Sequence, residues 1–190
     1  MKESLQLIID YLENPSIDSE QDKERRHKLS LSLGLDPAKK PGVLGEKIVE
    51  IFYKVQNIPY ERNVKVPVKR NEPLPLGGKA KKNHSLDGLE NNEFYVEVKI
   101  RVYHSTGTAN EKIPSIAFKY GDLPKKLKIF LLADDEHKFN LYWSKFLRGE
   151  IESSNPYNSD YEENYKKIHS DIIEQIVYGT EVASVLREYI

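Results

Sequence analysis

Glu93-Phe94-Tyr95-Val96-Glu97-Val98-Lys99-Ile100-Arg101-Val102-Tyr103 alternates along its whole length. Phe94, Val96, Val98, Ile100 and Val102 fall on one face of an extended chain, and Tyr95, Glu97, Lys99, Arg101 and Tyr103 on the other. The pattern predicts a strand that holds a carboxylate and an ammonium side by side while Val98 turns into the core. Upstream stands His84-Ser85-Leu86-Asp87-Gly88-Leu89. A turn through Glu90-Asn91-Asn92 would return the chain antiparallel and bring Asp87 beside Glu97.

Outward from this strand, other elements are legible. Leu5, Ile8, Ile9 and Leu12 have helical spacing up to Asn14-Pro15. Asp18 to Leu33 reads as a second helix, and Pro37, Pro41 and Gly42 as breaks. Leu44, Ile48, Ile51, Phe52 and Val55 form one apolar stripe of a third helix, with Glu46 and Glu50 off that stripe. Tyr60 to Arg70 alternates loosely and predicts a strand. Asn71 to Ser85 reads as a loop rich in Pro, Gly and Lys. A short helix is expected over Ser115 to Tyr120, and apolar strands over Lys128 to Ala133 and Phe139 to Trp143, joined by a turn at Asp134 to Lys138. Tyr161, Tyr165, Ile168, Ile172 and Ile176 have helical spacing that Gly179 would end, and Val182, Val185, Leu186 and Tyr189 predict a last helix. Helices, then strands, then helices imply an α/β (α+β) fold with a mixed sheet of four to five strands flanked by helices. One domain is expected over residues 1–190, with a helical part at 1–40, a core at 43–145 and C-terminal helices at 150–190.

Composition narrows the function classes. The chain has 190 residues, 38% hydrophobic and 31% charged, which is enough apolar material for one core. It has no cysteine, which excludes disulfides and Cys-ligated metals. No apolar run is long enough to span a bilayer, and residues 1–11 lack a leader pattern, so a soluble cytoplasmic protein without a membrane partner is expected. The histidines, His27, His84, His104, His137 and His169, show no H-x-x-H or H-E-x-x-H spacing. Leu76-Gly77-Gly78-Lys79 lacks the spacing of a phosphate-binding P-loop. Trp143 and the 12 tyrosines read as core rather than as base-stacking platforms.

Although the net charge is −1, basic residues cluster. Lys65, Lys69, Arg70, Lys79, Lys81 and Lys82 stand against the single acid Glu72. Such a stretch is either a solvated surface loop or a track for a polyanion.

Phosphodiester hydrolysis needs a hard cation, oxygen ligands and a general base or water-positioning group on rigid backbone. Asp87, Glu97 and Lys99 meet that need in type and spacing. A second E-x-K, Glu136-His137-Lys138, lies in an expected turn and reads as a solvated hairpin tip. The other reading of Glu97 and Lys99 is the ordinary solvent face of an edge strand.

The arrangement Asp87…Glu97-x-Lys99 resembles the PD-(D/E)xK nuclease superfamily, with no Pro before Asp87. Gly45-Glu46-Lys47-Ile48-Val49-Glu50 looks like that fold's first core helix. Ser105-Thr106-Gly107-Thr108-Ala109-Asn110-Glu111-Lys112-Ile113-Pro114, followed by Lys119-Tyr120-Gly121-Asp122-Leu123, is similar to the segment after the motif strand in several type II restriction endonucleases. The resemblance covers roughly residues 43–143. It implies a restriction-endonuclease-like sheet, Mg²⁺-dependent cleavage of double-stranded DNA leaving 5′-phosphates, and catalytic roles for Asp87, Glu97, Lys99 and, in support, Glu46. Asp87, Glu97 and Val98 are the implied metal contacts. Lys79, Lys81, Lys82, Arg101, Thr106, Thr108, Asn110 and Lys112 are the expected DNA contacts. A palindromic target would imply a homodimer. A junction-resolvase-like repair nuclease and a catalytically silent DNA-binding subunit remain open beside the restriction enzyme.

Overall fold

The computed structural model describes residues 2–15, 18–68, 83–102, 116, 119–134, 136 and 171–190. Three helices lead: α1 (Lys2–Glu13), α2 (Ser19–Ser32) and α3 (Pro41–Val55). Five strands follow: β1 (Tyr60–Pro67), β2 (Asn83–Glu90), β3 (Phe94–Ile100), β4 (Leu127–Leu132) and β5 (Ile173–Tyr178), and α4 (Gly179–Arg187) closes the chain. The sheet order is β1-β2-β3-β4-β5. β1, β2 and β3 are antiparallel neighbours, whereas β3, β4 and β5 run parallel. This is a mixed α+β fold, and β3 is the strand at which the pairing changes sense. Among the described residues no helix is long and apolar enough to cross a membrane.

Both faces of the central strands are covered. Val96, Val98, Phe130, Leu132 and Val177 pack against α1, α3 and α4. Tyr95, Leu127, Ile129 and Leu131 face the other way, against Ile116, Tyr120 and Val102. Strands buried on both faces read as nearly continuous apolar runs, as β4 does. β3 is therefore an inner strand, and the solvent-edge reading of Glu97 fails.

Local chemistry accounts for the element boundaries. Asp18 caps α2 by accepting the N–H groups of Glu20 and Gln21 at 2.8 and 3.0 Å. Pro41, expected as a break, instead opens α3, where its missing N–H costs nothing and its fixed φ suits the first turn. Asn91 and Asn92 both have positive φ, 47° and 53°, and Glu93 N–H bonds to Glu90 C=O at 2.8 Å. Two such residues make the hairpin turn whose twist matches the strands it joins, and asparagine tolerates that conformation well. The turn fixes the register Gly88↔Val96, Leu89↔Tyr95 and Glu90↔Phe94.

Several expectations are corrected. The loop ending at Ser85 ends earlier, because His84 and Ser85 already belong to β2. Val102 leaves the face of Val96 and Val98 for the opposite core. Arg101 has φ 54°, which ends the strand and interrupts its alternation. Asp134 is buried rather than solvated, and its Oδ2 accepts the Val102 N–H at 2.5 Å. Both edges of β4 are taken by β3 and β5. The strand expected over residues 139–143 lies outside the described residues.

The C-terminal part is corrected too. Residues 173–178 form β5 instead of ending a helix, and Gly179 begins α4 instead of stopping one. The pairing slips between Leu127↔Ile173 and Lys128↔Gln175, leaving Glu174 as an extra residue. That bulge puts Ile173, Ile176 and Tyr178 against one core, and such spacing imitates a helical stripe. Gly179 is needed for closeness, since a Cβ there would lie 3.2 Å from the Ala133 nitrogen.

Candidate active site

The hairpin register carries Asp87 to the level of Glu97. Asp87 Oδ2 accepts the Val98 N–H at 2.6 Å, so the carboxylate is tied to the main chain of β3. Val98 itself points into the helical core, as expected, and supplies its backbone to the site. Close packing holds it there. A Cβ on Gly45 of α3 would stand 3.0 Å from Val98 Cγ1, so α3 approaches β3 where the site lies. Gly88 has the same use on β2: the Tyr60 ring occupies the space where its Cβ would go, at 2.3 Å.

Glu97 is only 4% exposed. A buried carboxylate needs hydrogen-bond donors, and among the described residues this one has three. The Tyr120 hydroxyl donates to Oε2 at 2.8 Å. Lys99 Nζ contacts Oε1, and Lys119 Nζ lies 3.5 Å from the same oxygen. Tyr120 is held by an edge-on contact with His84, centroids 5.5 Å apart, and His84 Nε2 is 2.6 Å from Asp122 Oδ1. Burial, and then the Glu97 charge, push the Tyr120 phenol far above its ordinary value, so it remains a donor to Glu97.

Burial is also the main cause that raises Asp87, to about 6. Glu97 adds to the rise and Glu46 adds a little more, while the Val98 N–H and Lys99 oppose it. Two carboxylates held together at a partly desolvated point repel each other, and a divalent cation relieves that repulsion. Asp87, Glu97, Val98, Lys99 and Glu46 are thus brought together. Glu46 is also gripped by Arg62 at 3.3 Å, whose other nitrogen is 2.9 Å from Glu50.

The remaining expected contacts divide. Arg101, expected to reach DNA, is instead turned to the N-terminal helices. It pairs with buried Asp22, which also accepts from Arg26 at 2.7 Å and Tyr11 at 3.3 Å. Its positive φ swings the side chain out of the row formed by Glu97 and Lys99. Lys79, Lys81, Lys82, Thr106, Thr108, Asn110 and Lys112 lie outside the described residues. Tyr120, Lys119 and the His84–Asp122 pair went unnoticed as site residues. Their only signal was the Lys119-Tyr120-Gly121-Asp122-Leu123 run, because contacts across the sheet leave no spacing rule in a sequence.

Glu97, Lys99, Lys119 and Ile116 line a cleft of about 370 Å³ that also touches Pro41 and Gly42 at the start of α3. The cleft lies at the carboxyl end of β3, where open sheets with parallel strands usually bind ligands. Among the described residues no three His, Asp or Glu side chains form a metal cage. Two carboxylates are what Mg²⁺ commonly takes from protein, keeping waters for the rest. The chain matches no family model, no curated protein and no solved structure.

The raised Asp87 has a consequence for stability without metal. A carboxyl raised in the fold contributes stability below its unfolded value, near 3.8, and loses it as pH climbs through about 6. Asp87→Asn removes that loss and keeps an acceptor for the Val98 N–H. In EDTA at pH 8 the variant is expected to melt higher than wild type, by up to roughly 3 kcal/mol of stability. At pH 4 the difference should nearly vanish. Thermal melts of both proteins at the two pH values check this, and equal melting temperatures at pH 8 would show that Asp87 is not electrostatically strained.

Proposed function

We propose that this chain is a Mg²⁺-dependent endonuclease acting on double-stranded DNA. The observation that carries the reading is the convergence of three side chains: Glu97 and Lys99 line one cleft, and Asp87, bound to the Val98 N–H between them, is raised by burial and then by the Glu97 charge. In this reading Asp87 and Glu97 hold the metal, with the Val98 main chain beside them. When bound, Mg²⁺ neutralises phosphate charge and acidifies a coordinated water. Lys99, in contact with Glu97, orients the attacking water at the phosphorus. The oxygen of that water bonds to phosphorus as the P–O3′ bond breaks; the water gives up a proton to solvent and the departing 3′ oxygen takes one up, leaving a 5′-phosphate and a 3′-hydroxyl. Tyr120 and the Asp87–Val98 bond keep both carboxylates in place before substrate arrives, so little reorganisation is needed.

Restriction at a short palindromic sequence by a homodimer is the form that the resemblance favours. Incubation of a sequenced plasmid with the protein and Mg²⁺, with run-off mapping of the ends, tests it. Discrete fragments with 5′-phosphates support restriction, preference for branched substrates moves the assignment to a resolvase, and intact DNA in both Mg²⁺ and Mn²⁺ refutes nuclease activity.

Glu46 plays a supporting part. Its charge reaches Asp87, yet Arg62 shares it. Glu46→Gln is expected to lower cleavage about tenfold, well short of losing a metal ligand, the scale of one weakened supporting contact. Initial rates on one plasmid substrate measure this. A rate equal to wild type would remove Glu46 from the site.

A further inference from the structure

Glu97 faces more positive charge than a buried carboxylate requires. Tyr120 already satisfies Oε2 at 2.8 Å, so Oε1 is the oxygen turned towards the two lysines. Lys99 comes from the same strand and its side chain is 22% exposed. Lys119 comes from the helical turn across the cleft, its side chain is 47% exposed, and its ammonium sits 3.5 Å from Oε1. It also rests 4.3 Å from the centroid of the Tyr120 ring. Among the described residues, Lys99 and Lys119 thus set two ammoniums against Glu97 Oε1 before any metal enters.

We propose that Lys119 is a placeholder cation which couples metal to substrate: without DNA it screens Glu97 Oε1, and a DNA phosphate entering the cleft draws it away. The proposal rests on the nuclease reading above and adds the regulation of that site. A divalent cation arriving alone meets an oxygen already screened by two ammoniums, and like charges oppose it. A phosphate in the cleft gives Lys119 another partner. Lysine suits this role, since its charge is compact and its four-carbon stem flexible, so it can change partners without moving the backbone. The Tyr120 ring, itself fixed by Glu97 and His84, lies against the Lys119 ammonium and keeps it beside Glu97. Metal and DNA then bind cooperatively, each favouring the other by the same factor. The device would spare the protein from holding a charged metal site when no substrate is present.

The test measures binding rather than cutting. Ca²⁺ is titrated calorimetrically into the full chain, alone and with a short DNA duplex, for wild type, Lys119→Met and Lys119→Arg. Methionine keeps most of the length of the lysine stem and removes the charge. Without DNA, Lys119→Met is expected to bind Ca²⁺ about fivefold more tightly, the scale of one partly exposed ion pair. The enhancement of Ca²⁺ binding by DNA should fall by a similar factor, and Lys119→Arg should restore both. Unchanged or weaker Ca²⁺ binding by Lys119→Met alone overturns the proposal. Glu97→Gln separates the two ideas. If wild type binds Ca²⁺ and Glu97→Gln does not, an unaltered Lys119→Met sinks only the coupling. If Glu97→Gln binds Ca²⁺ as wild type does, the metal-site reading falls with it.

Discussion

Glu97→Gln and Asp87→Asn are each expected to abolish cleavage, lowering the rate by about three orders of magnitude or more, while DNA binding survives. Loss of a metal ligand removes several kcal/mol of charge stabilisation at the phosphate, and about 1.4 kcal/mol is a factor of ten. The amides are chosen because they preserve the fold. Glu97→Gln keeps an acceptor for the Tyr120 hydroxyl, and Asp87→Asn keeps one for the Val98 N–H. Glu97→Ala would take the carboxylate away from the Tyr120 hydroxyl and from the Lys99 and Lys119 ammoniums, and unfolding would then be confused with inactivity. Without metal, duplex binding by both amide variants should equal or exceed that of wild type, because a carboxylate that repels phosphate has been neutralised. Gel-shift titration in EDTA and single-turnover cleavage in Mg²⁺ are the measurements. A folded variant that cuts within tenfold of wild type would remove that residue from the metal site.

Lys99→Met is expected to slow cleavage by roughly 10² to 10⁴, the usual contribution of a positioned acid–base group. Its effect on metal should have the opposite sign from that of the carboxylate variants. The Lys99 ammonium contacts Glu97 Oε1, so its removal leaves that oxygen more available, and Ca²⁺ should bind as tightly as before or more so. The split between a large loss of rate and undiminished metal affinity distinguishes a water-positioning lysine from a structural partner of Glu97. Were Lys99 only that partner, Lys99→Met would lower the melting temperature and leave the single-turnover rate near wild type. A pH–rate profile adds a second reading, because Asp87 titrates near 6 without metal and Mg²⁺ should pull it down. The acid limb of wild type should therefore move to lower pH as Mg²⁺ rises.

Much of the fold was legible before any coordinates. Period and capping residues are local quantities, so α1, α2 and α3 could be placed from apolar spacing, Asp18 and Asn14-Pro15, and β3 from its alternation. The candidate site was legible for the same reason. Glu97 and Lys99 are two apart on one strand, and the Asn91-Asn92 turn sets the hairpin that delivers Asp87. What failed was the part set by partners distant in sequence. Residues 173–178 looked helical because a bulge at Glu174 displaced the apolar spacing, and only pairing with β4 reveals a strand. Asp134 looked solvated because a run of charged residues implies a surface, yet the Val102 N–H supplies its partner from 32 positions away. Arg101 looked like a DNA contact because it shares the parity of Glu97 and Lys99, and a single positive φ sent it to Asp22.

The sequence by itself determined the α+β class, the strand that carries Glu97 and Lys99, and the pairing of a carboxylate hairpin with an E-x-K step, because each depends on neighbours within a turn or a hairpin. The tertiary structure alone decided that β3 is central, that Glu97 is buried under Tyr120, and that Lys119 faces the same oxygen as Lys99. Those outcomes arise where segments far apart in the chain pack together, and the energy of such packing is not written in the spacing of either segment.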